Sequence, residues 1–267
     1  MFPILFQSGS FIVYSYVFMI ALSFTVAILV ITKSAAQNKL PVNRLVDYFV
    51  FNFLIMLLGA RLLFVVTHLE FYSKFPERII RIWEGGFATW GGLLFAMAFS
   101  IFYFKKHKLP PLKVLDVASP AFSISQAIAK IGCFGAGCCY GIPFRGPFSF
   151  SFSFSFSFNS RVVPEGLRGI PLFPMQLVES LFSFILFVFL WRYLRTKKFD
   201  GEVFSIYVLI YSIGRVFLDL LRGDRAPIFG SENFITLNQA LFSFTAVVGI
   251  IMYTRLHRRS VNASDIV

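Results

Sequence analysis

Seven stretches of about 20 mostly apolar residues follow one another along the chain, each long enough to cross the hydrocarbon core of a bilayer as an α-helix. Short polar segments separate them. The windows are Phe11–Ile31, Leu45–Val66, Phe87–Phe104, Val114–Cys133, Pro174–Tyr193, Val203–Leu221 and Ile235–Leu256. The pattern predicts an all-α polytopic membrane protein with about seven transmembrane helices, forming a single integral membrane domain over residues 1–267.

The composition agrees with a membrane protein and argues against nucleic-acid binding. Of the 267 residues, 57% are hydrophobic and only 14% are charged, whereas about 25% are charged in a soluble domain. The formal net charge of +12 comes from basic residues that lie in short clusters between the apolar windows. Such clusters set membrane topology beside anionic headgroups, so we expect membrane lipids rather than nucleic acid as partners.

The basic clusters also predict an orientation, because cytoplasmic loops carry an excess of lysine and arginine. Clusters after the first, third, fifth and seventh windows alternate with longer loops of mixed sign. The N-terminus is then outside, the C-terminus is cytoplasmic, and an irregular periplasmic loop region follows the fourth window. Within that loop, residues 148–158 alternate phenylalanine and serine. This low-complexity repeat is interpreted as filler, as a lipid-facing β-arm or as a substrate contact.

Six polar residues in the predicted fourth to sixth helices are costly at membrane depth and need a reason. They are Lys130, Gln176, Glu179, Arg215, Asp219 and Arg222. The last three recur at i, i+4 and i+7, which places them on one helix face. Two interpretations stay open: a self-neutralising ion-pair ladder, or a cationic cavity suited to the phosphate of a phospholipid.

Two further charged residues lie inside apolar windows. Asp116 precedes Lys130 by fourteen residues, or about 21 Å along a helix, so the two cannot pair directly. Arg61 lies in the second window. We expect Arg61 to extend the cationic cavity or to neutralise Glu84 or Asp116.

The segment from Ala129 to Pro143 reads AKIGCFGAGCCYGIP and contains all three cysteines of the chain. Apolar packing at a helix end is the expected role of the thiols. A covalent intermediate is disfavoured because a thioether leaves poorly, and a metal site is disfavoured because C-x4-C-C lacks a fourth ligand nearby. No metal and no cofactor are therefore expected. The paired glycines Gly91 and Gly92 permit close approach of a helix or of a ligand.

Taken together, these residues resemble the motifs of the prolipoprotein diacylglyceryl transferase family in order and spacing. The matching segments are Tyr14–Tyr16, Gly59–Arg61, Glu84–Phe87 with Trp90–Leu94, Lys130–Phe134 with Tyr140–Gly141, Gly169–Ser180, and Gly214–Asp219 with Leu221–Asp224. The glycine and cysteine segment resembles a cysteine-rich variant of the family signature. Four positions depart from the usual pattern: Lys130 replaces an arginine, Cys133 an asparagine, Asp219 a glutamate and Trp90 a histidine.

The resemblance implies an enzyme of the bacterial cytoplasmic (inner) membrane whose active site faces the periplasmic side. It would transfer a diacylglyceryl group from phosphatidylglycerol to the lipobox cysteine thiol of preprolipoproteins, forming a thioether and releasing glycerol phosphate. The catalytic residues implied are Arg222, Asp219, Arg215, Glu179 and Tyr16. The lipid-binding residues implied are Lys130, Gly132, Tyr140, Gly141, Gly91, Gly92, Asp116, Gln176 and Arg61.

The general base is not fixed by the resemblance. If the family histidine is indispensable as the base, Trp90 leaves this chain inactive. Otherwise Asp219, Glu179, hydroxide or a tyrosine such as Tyr16 or Tyr140 takes the thiol proton. The alternative function is that of an inactive or repurposed relative, which binds or moves an anionic phospholipid without catalysis.

Overall fold

Helices dominate the computed structural model, which describes residues 4–8, 11–81, 85–146, 149–151, 167, 169–225 and 235–264. The helices are α1 (Ser15–Gln37), α2 (Val42–Thr67), α3 (Leu69–Lys74), α4 (Thr89–His107), α5 (Pro111–Ala136), α6 (Met175–Tyr193), α7 (Glu202–Asp219) and α8 (Leu237–Ser264). Two short antiparallel pairs accompany them. Strand β1 (Ile4–Ser8) pairs with β2 (Phe11–Tyr14), and β3 (Phe150–Ser151) pairs with β4 (Pro171–Leu172).

Each of the seven predicted windows overlaps a long helix, and the described residues add the short helix α3 and a 3₁₀ turn at Pro76–Ile79. Most helix ends differ from the predicted bounds. The first window begins in strand β2, α1 continues past Ile31 to Gln37, and α8 continues past Leu256 to Ser264. Four helices among the described residues are apolar and long enough to cross a membrane: α1, α2, α6 and Leu237–Asn262 of α8. The chain is therefore a polytopic membrane protein, while the count of seven spans, the orientation and the single domain stay predictions.

Of the predicted phenylalanine and serine repeat, residues 149–151 are described and Phe150–Ser151 forms strand β3. The rest of the repeat lies outside the described residues, so its predicted roles stay predictions.

The helices divide into two compact units, and the first holds α5 to α8 with the start of α1. In this unit α7 begins at a buried carboxylate. Asp116 accepts hydrogen bonds from the backbone N–H groups of Gly201 and Phe204 at 2.8 and 2.9 Å, and Lys197 pairs with it at 2.8 Å. These N–H groups have no partner within their own helix, so the carboxylate caps α7 and is also favoured by the helix dipole.

The contacts of Asp116 agree with the expected distance from Lys130, because Asp116 lies near the first turn of α5 and Lys130 near the last. The cation that pairs with Asp116 is Lys197, for which the sequence analysis gave no role. These contacts explain how Asp116 positions α7, and its lipid-binding role stays a prediction.

The second unit, Thr32–Pro111, contains α2 and α4 packed closely together. A Cβ atom on Gly59 would lie 2.8 Å from the carbonyl oxygen of Gly91, and one on Gly92 would lie 2.9 Å from that of Met56. Only glycine lets two helix backbones approach this closely. Close helix packing thus explains why glycine occupies positions 91 and 92, and a lipid contact at Gly91 or Gly92 stays a prediction. Trp90, beside them, is 59% exposed.

Arg61 binds the chain that connects α3 to α4. Its guanidinium donates to the carbonyl oxygens of Arg78 at 2.6 Å, Ile79 at 3.1 Å, Arg81 at 3.3 Å and Gly86 at 3.0 Å, and also to that of Gly85. All five N–H groups of an arginine are used in this way. Arg61 therefore satisfies main-chain oxygens in buried or partly buried contacts, and Glu84, one carboxylate expected to neutralise it, lies outside the described residues.

Replacing Arg61 by lysine tests this role. Lysine offers three donors from a single nitrogen, so at least two of the five carbonyl contacts are lost, and these partly or fully buried oxygens are left unpaired. We expect the free energy of unfolding to fall by about 1–3 kcal/mol for each carbonyl left buried without a donor. Thermal unfolding of the detergent-solubilised protein measures the change. Arg44→Lys, an exposed change on the same helix, is the matched control, and equal shifts for the two variants would contradict the assignment.

Candidate functional site

Glu179 is the centre of a buried ion cluster built from three helices and the chain after α7. Its carboxylate pairs with Lys130 of α5, with Arg215 of α7 and with Arg222, whose Nη1 lies 3.2 Å from Oε1. The Glu179 side chain is 3% exposed and those of the three cations are 8–13% exposed. Charges this well shielded from water interact strongly, so the cluster fixes the relative positions of α5, α6 and α7.

Arg222 also forms a salt bridge with a second carboxylate, that of Asp224. Its Nε and Nη2 donate to the two oxygens of Asp224 at 2.9 and 2.8 Å, which is the bidentate geometry that orients a guanidinium most firmly. Asp224 is a residue to which the sequence analysis gave no role. The arginine and the carboxylate are two residues apart just after α7. That spacing is the feature of the sequence from which this salt bridge could have been predicted.

The backbone around Arg222 is held by the segment after the cysteines. Gly141 forms an antiparallel bridge with Arg222, the N–H of Gly223 donates to the carbonyl of Tyr140 at 2.9 Å, and that of Gly141 donates to Phe173 at 3.1 Å. A Cβ on Gly141 would meet the Phe173 carbonyl oxygen at 2.6 Å, so three segments cross where only glycine fits. Tyr140 and Gly141 therefore position Arg222.

The side chain of Tyr140 is buried against Leu172. Burial and the nearby Asp224 carboxylate both raise the pKa of the Tyr140 phenol. A higher pKa makes the phenolate scarcer at neutral pH, which counts against Tyr140 as the base.

Asp219 does not form the ladder that was one of the two interpretations of its spacing. It accepts a hydrogen bond from the hydroxyl of Thr236 at 2.6 Å, while Arg215 and Arg222 form salt bridges with Glu179. Thr236 in turn exchanges hydrogen bonds with Gln239 at 3.1 Å in a capping box that begins α8. The sequence analysis missed Thr236 and Gln239, although a threonine three residues before a glutamine is a recognisable capping signal.

Two further predicted residues, Gly132 of α5 and Gln176 in the first turn of α6, make close contacts with other segments. A Cβ on Gly132 would lie 2.8 Å from Cβ of Met19 and 3.5 Å from Cα of Tyr16, so this glycine lets α5 pack against α1 beside Tyr16. Gln176 is buried and its amide donates to the carbonyl of Cys138 at 2.8 Å. These contacts assign packing and positioning roles to Gly132 and Gln176.

The three cysteines lie together, which the sequence analysis did not foresee. The sulfur atoms of Cys133, Cys138 and Cys139 all lie within 4.8 Å of one another, and all three are free thiols. Among the described residues this is the group of side chains that could hold a metal ion.

The ion cluster can bind an anion. Three cations contact two carboxylates, Glu179 and Asp224, so one positive charge is left over among the groups that touch. In addition, Nε of Arg215 is buried and donates to no acceptor in the described part of the chain. Guanidinium groups match phosphate oxygens in geometry as well as in charge.

The long apolar helices and the buried ion cluster define a polytopic membrane protein with a net cationic cluster of side chains inside it. Comparison with known proteins gives the family: the family model described as prolipoprotein diacylglyceryl transferase matches residues 3–255. The chain belongs to this family.

Relatives from two bacterial genera bear the name phosphatidylglycerol–prolipoprotein diacylglyceryl transferase. The protein from Clostridium tetani is 31% identical over 251 residues, covering 94% of this chain and 96% of its own length. One from Clostridium perfringens is 31% identical over 241 residues, 90% of each chain. One from Streptococcus pyogenes serotype M5 is 26% identical over 257 residues, 96% of each chain.

The substitution Glu179→Gln tests the ion cluster. An amide cannot balance the three cations, which then repel one another in a shielded site. We expect a loss of about 3–5 kcal/mol in the free energy of unfolding, as for other buried pairs that lose one partner. Thermal unfolding in detergent measures it. The control is Asp200→Asn, which removes a carboxylate that is 50% exposed and paired with Lys197, and we expect a change below about 1 kcal/mol. A Glu179→Gln variant no less stable than the control would show that the cluster does not hold the helices.

Proposed function

We propose that the chain transfers a diacylglyceryl group from phosphatidylglycerol to the thiol of the lipobox cysteine in preprolipoproteins. The observation that carries the proposal is the convergence of Lys130, Arg215 and Arg222 on one buried carboxylate, in a chain of this family. The proposal includes an inner-membrane location with the site facing the periplasm, and a lipobox in the protein substrate.

The reaction places negative charge on phosphate. The thiolate sulfur forms a bond to the glycerol carbon of the diacylglyceryl group, the bond from that carbon to the phosphate oxygen breaks, and the electron pair leaves with glycerol phosphate. The thiol proton goes to a base, because the thiolate is the nucleophile. Charge that accumulates on the phosphate oxygens is stabilised by cations already fixed in place.

In this mechanism the phosphate takes over contacts that Glu179 holds in the free protein. Arg222 keeps its orientation while phosphate replaces Glu179, because its Nε and Nη2 stay hydrogen-bonded to Asp224. The unpaired Nε of Arg215 gives a further donor to a phosphate oxygen. Lys130 supplies charge without the planar fork of an arginine, so we assign it electrostatic attraction rather than orientation.

Asp219 is the proposed acceptor of the thiol proton. Glu179 is engaged by three cations, whereas the carboxylate of Asp219 is buried and contacts a neutral hydroxyl, that of Thr236. The sulfur becomes a nucleophile only when a nearby base removes the thiol proton, and such a base must have a free electron pair. Trp90 cannot serve this purpose because an indole has no basic nitrogen.

The second candidate function is binding or movement of an anionic phospholipid without catalysis. Trp90 favours it, since it stands where the family motif has histidine and 59% of its surface is exposed. A single assay separates the two functions. The purified chain is mixed with phosphatidylglycerol labelled in its acyl chains and with a lipobox peptide. Label on the peptide supports the transferase, and lipid binding without label transfer supports the second function.

Arg222→Ala tests the phosphate contact. Removing a fixed donor from developing charge lowers turnover by about 10²–10³-fold, and we expect at least this loss in label transfer. Arg222→Lys should recover only part of it, because the fork to Asp224 is lost. Arg192→Ala, an exposed arginine in the last turn of α6, is the matched control and should transfer normally. Full transfer by Arg222→Ala would refute the role of this arginine.

Asp219→Asn tests the base. The amide oxygen can still accept the hydrogen bond from Thr236, so the fold is kept, but the proton acceptor is gone. We expect transfer to fall by about 10²–10⁴-fold with little change in the unfolding temperature. Asp47→Asn, an exposed change on α2, is the control. A variant with normal transfer would move the role of base to another group.

A further inference from the structure

The end of α5 brings two cysteines together through its own hydrogen bonds. The N–H of Cys138 donates to the carbonyl of Cys133 at 3.2 Å, and Gly137 before it has φ +76°. This is a Schellman ending, in which a left-handed glycine reverses the chain and brings the second residue after the cap back onto the last helical turn. The residues that meet in such an ending are normally apolar, whereas here both are cysteines.

The third cysteine joins them through an unusual backbone angle. Cys139 has φ +58°, a left-handed conformation that residues other than glycine adopt only rarely. Consecutive residues in an extended chain point to opposite sides, so Cys138 and Cys139 would diverge without this angle. Gln176 fixes the turn by donating to the carbonyl of Cys138 at 2.8 Å. The surrounding structure thus maintains a strained residue that turns a third thiol toward the other two.

The resulting spacing is close to that of a thiolate metal site. All three sulfur atoms lie within 4.8 Å of one another. Ligands that bind zinc tetrahedrally at about 2.3 Å lie about 3.8 Å apart, so a contraction of about 1 Å completes the triangle. Cys133 is buried while Cys138 and Cys139 are half-buried, so an ion can reach the site from one side.

Two cations of the Glu179 cluster lie in the segments that carry the cysteines or bind them. Lys130 is three residues before Cys133 on α5, and Arg222 is bridged to Gly141, two residues after Cys139. Thiolates are the form of cysteine that binds metals, and positive charge in the surroundings offsets the negative charge that they bring. Three thiolates and one divalent ion carry a single negative charge together. That charge matches the positive charge left over in the neighbouring ion cluster.

We propose that Cys133, Cys138 and Cys139 form a binding site for one soft, thiol-seeking divalent cation of the zinc and cadmium class. On binding, each thiol exchanges its S–H bond for a bond from sulfur to the metal, and its proton passes to water. The fourth position of the ion is left to water. The site is distinct from the phosphate-binding cations, and it does not depend on the transferase function.

Cadmium binding by the purified full-length chain in detergent, kept reduced, tests the proposal. We expect one more equivalent of Cd²⁺ per chain than in a triple Cys133→Ser, Cys138→Ser, Cys139→Ser variant, with an ultraviolet band from thiolate-to-cadmium charge transfer. Each single serine change should weaken binding by more than about tenfold, because outer partners of metal ligands alone are worth 10–100-fold. Magnesium, which prefers oxygen ligands, should not compete.

Two measurements keep the test decisive. Thermal unfolding without cadmium shows whether each serine variant is folded, and only the parent protein should gain stability when cadmium is added. If the triple variant does not fold, the single Cys139→Ser variant carries the comparison. Equal cadmium binding by the parent and a folded variant would overturn the proposal. So would a disulfide between two of these cysteines in protein alkylated directly in isolated membranes.

Discussion

The contact of Glu179 with three cations is the interaction on which the rest of the site depends. It joins α5, α6 and α7 at one buried point, and each charged side chain in it would be costly to bury without its partners. A hydrophobic contact could hold the helices together, but it could not leave the cations ready to exchange one anion for another. The same contact therefore supports the fold in the free protein, and in the proposed function it holds the cations in place for phosphate.

The partners of a buried charge separate structural groups from functional ones in this protein. The guanidinium of Arg61 donates its hydrogen bonds to main-chain carbonyls, and Asp116 binds backbone N–H groups and one lysine. Neither can release these partners without exposing backbone that must stay paired. The members of the Glu179 cluster bind chiefly one another. The proposed function uses this difference, because an incoming anion would replace a side-chain partner there and leave no backbone group unpaired.

The sequence was informative about the helices and about which residues are unusual, but not about how those residues pair. Apolar windows predict a long helix at each of seven places because the period and length of a span are local properties. Spacing alone placed Arg215, Asp219 and Arg222 on one face, which is correct up to the end of α7 at Asp219. Their partners come from other elements, Glu179 from α6 and Thr236 from the start of α8, and no local rule predicts those contacts. The cysteine cluster was missed for a different reason, since it depends on a left-handed angle at Cys139 that cysteine rarely adopts.

The capping of α7 by Asp116 has a consequence at the far end of that helix. The helix is a rod of 18 residues, about 27 Å long, anchored to α5 at its first turn, and its last residue is bound to Thr236. Arg215 sits on this rod, so its direction is set by the number of residues counted from the anchor. Each residue added to or removed from an α-helix turns everything beyond it by about 100°. Evolution can therefore vary the side chains of α7 more freely than its length, because an insertion between its first turn and Arg215 would direct Arg215 away from Glu179.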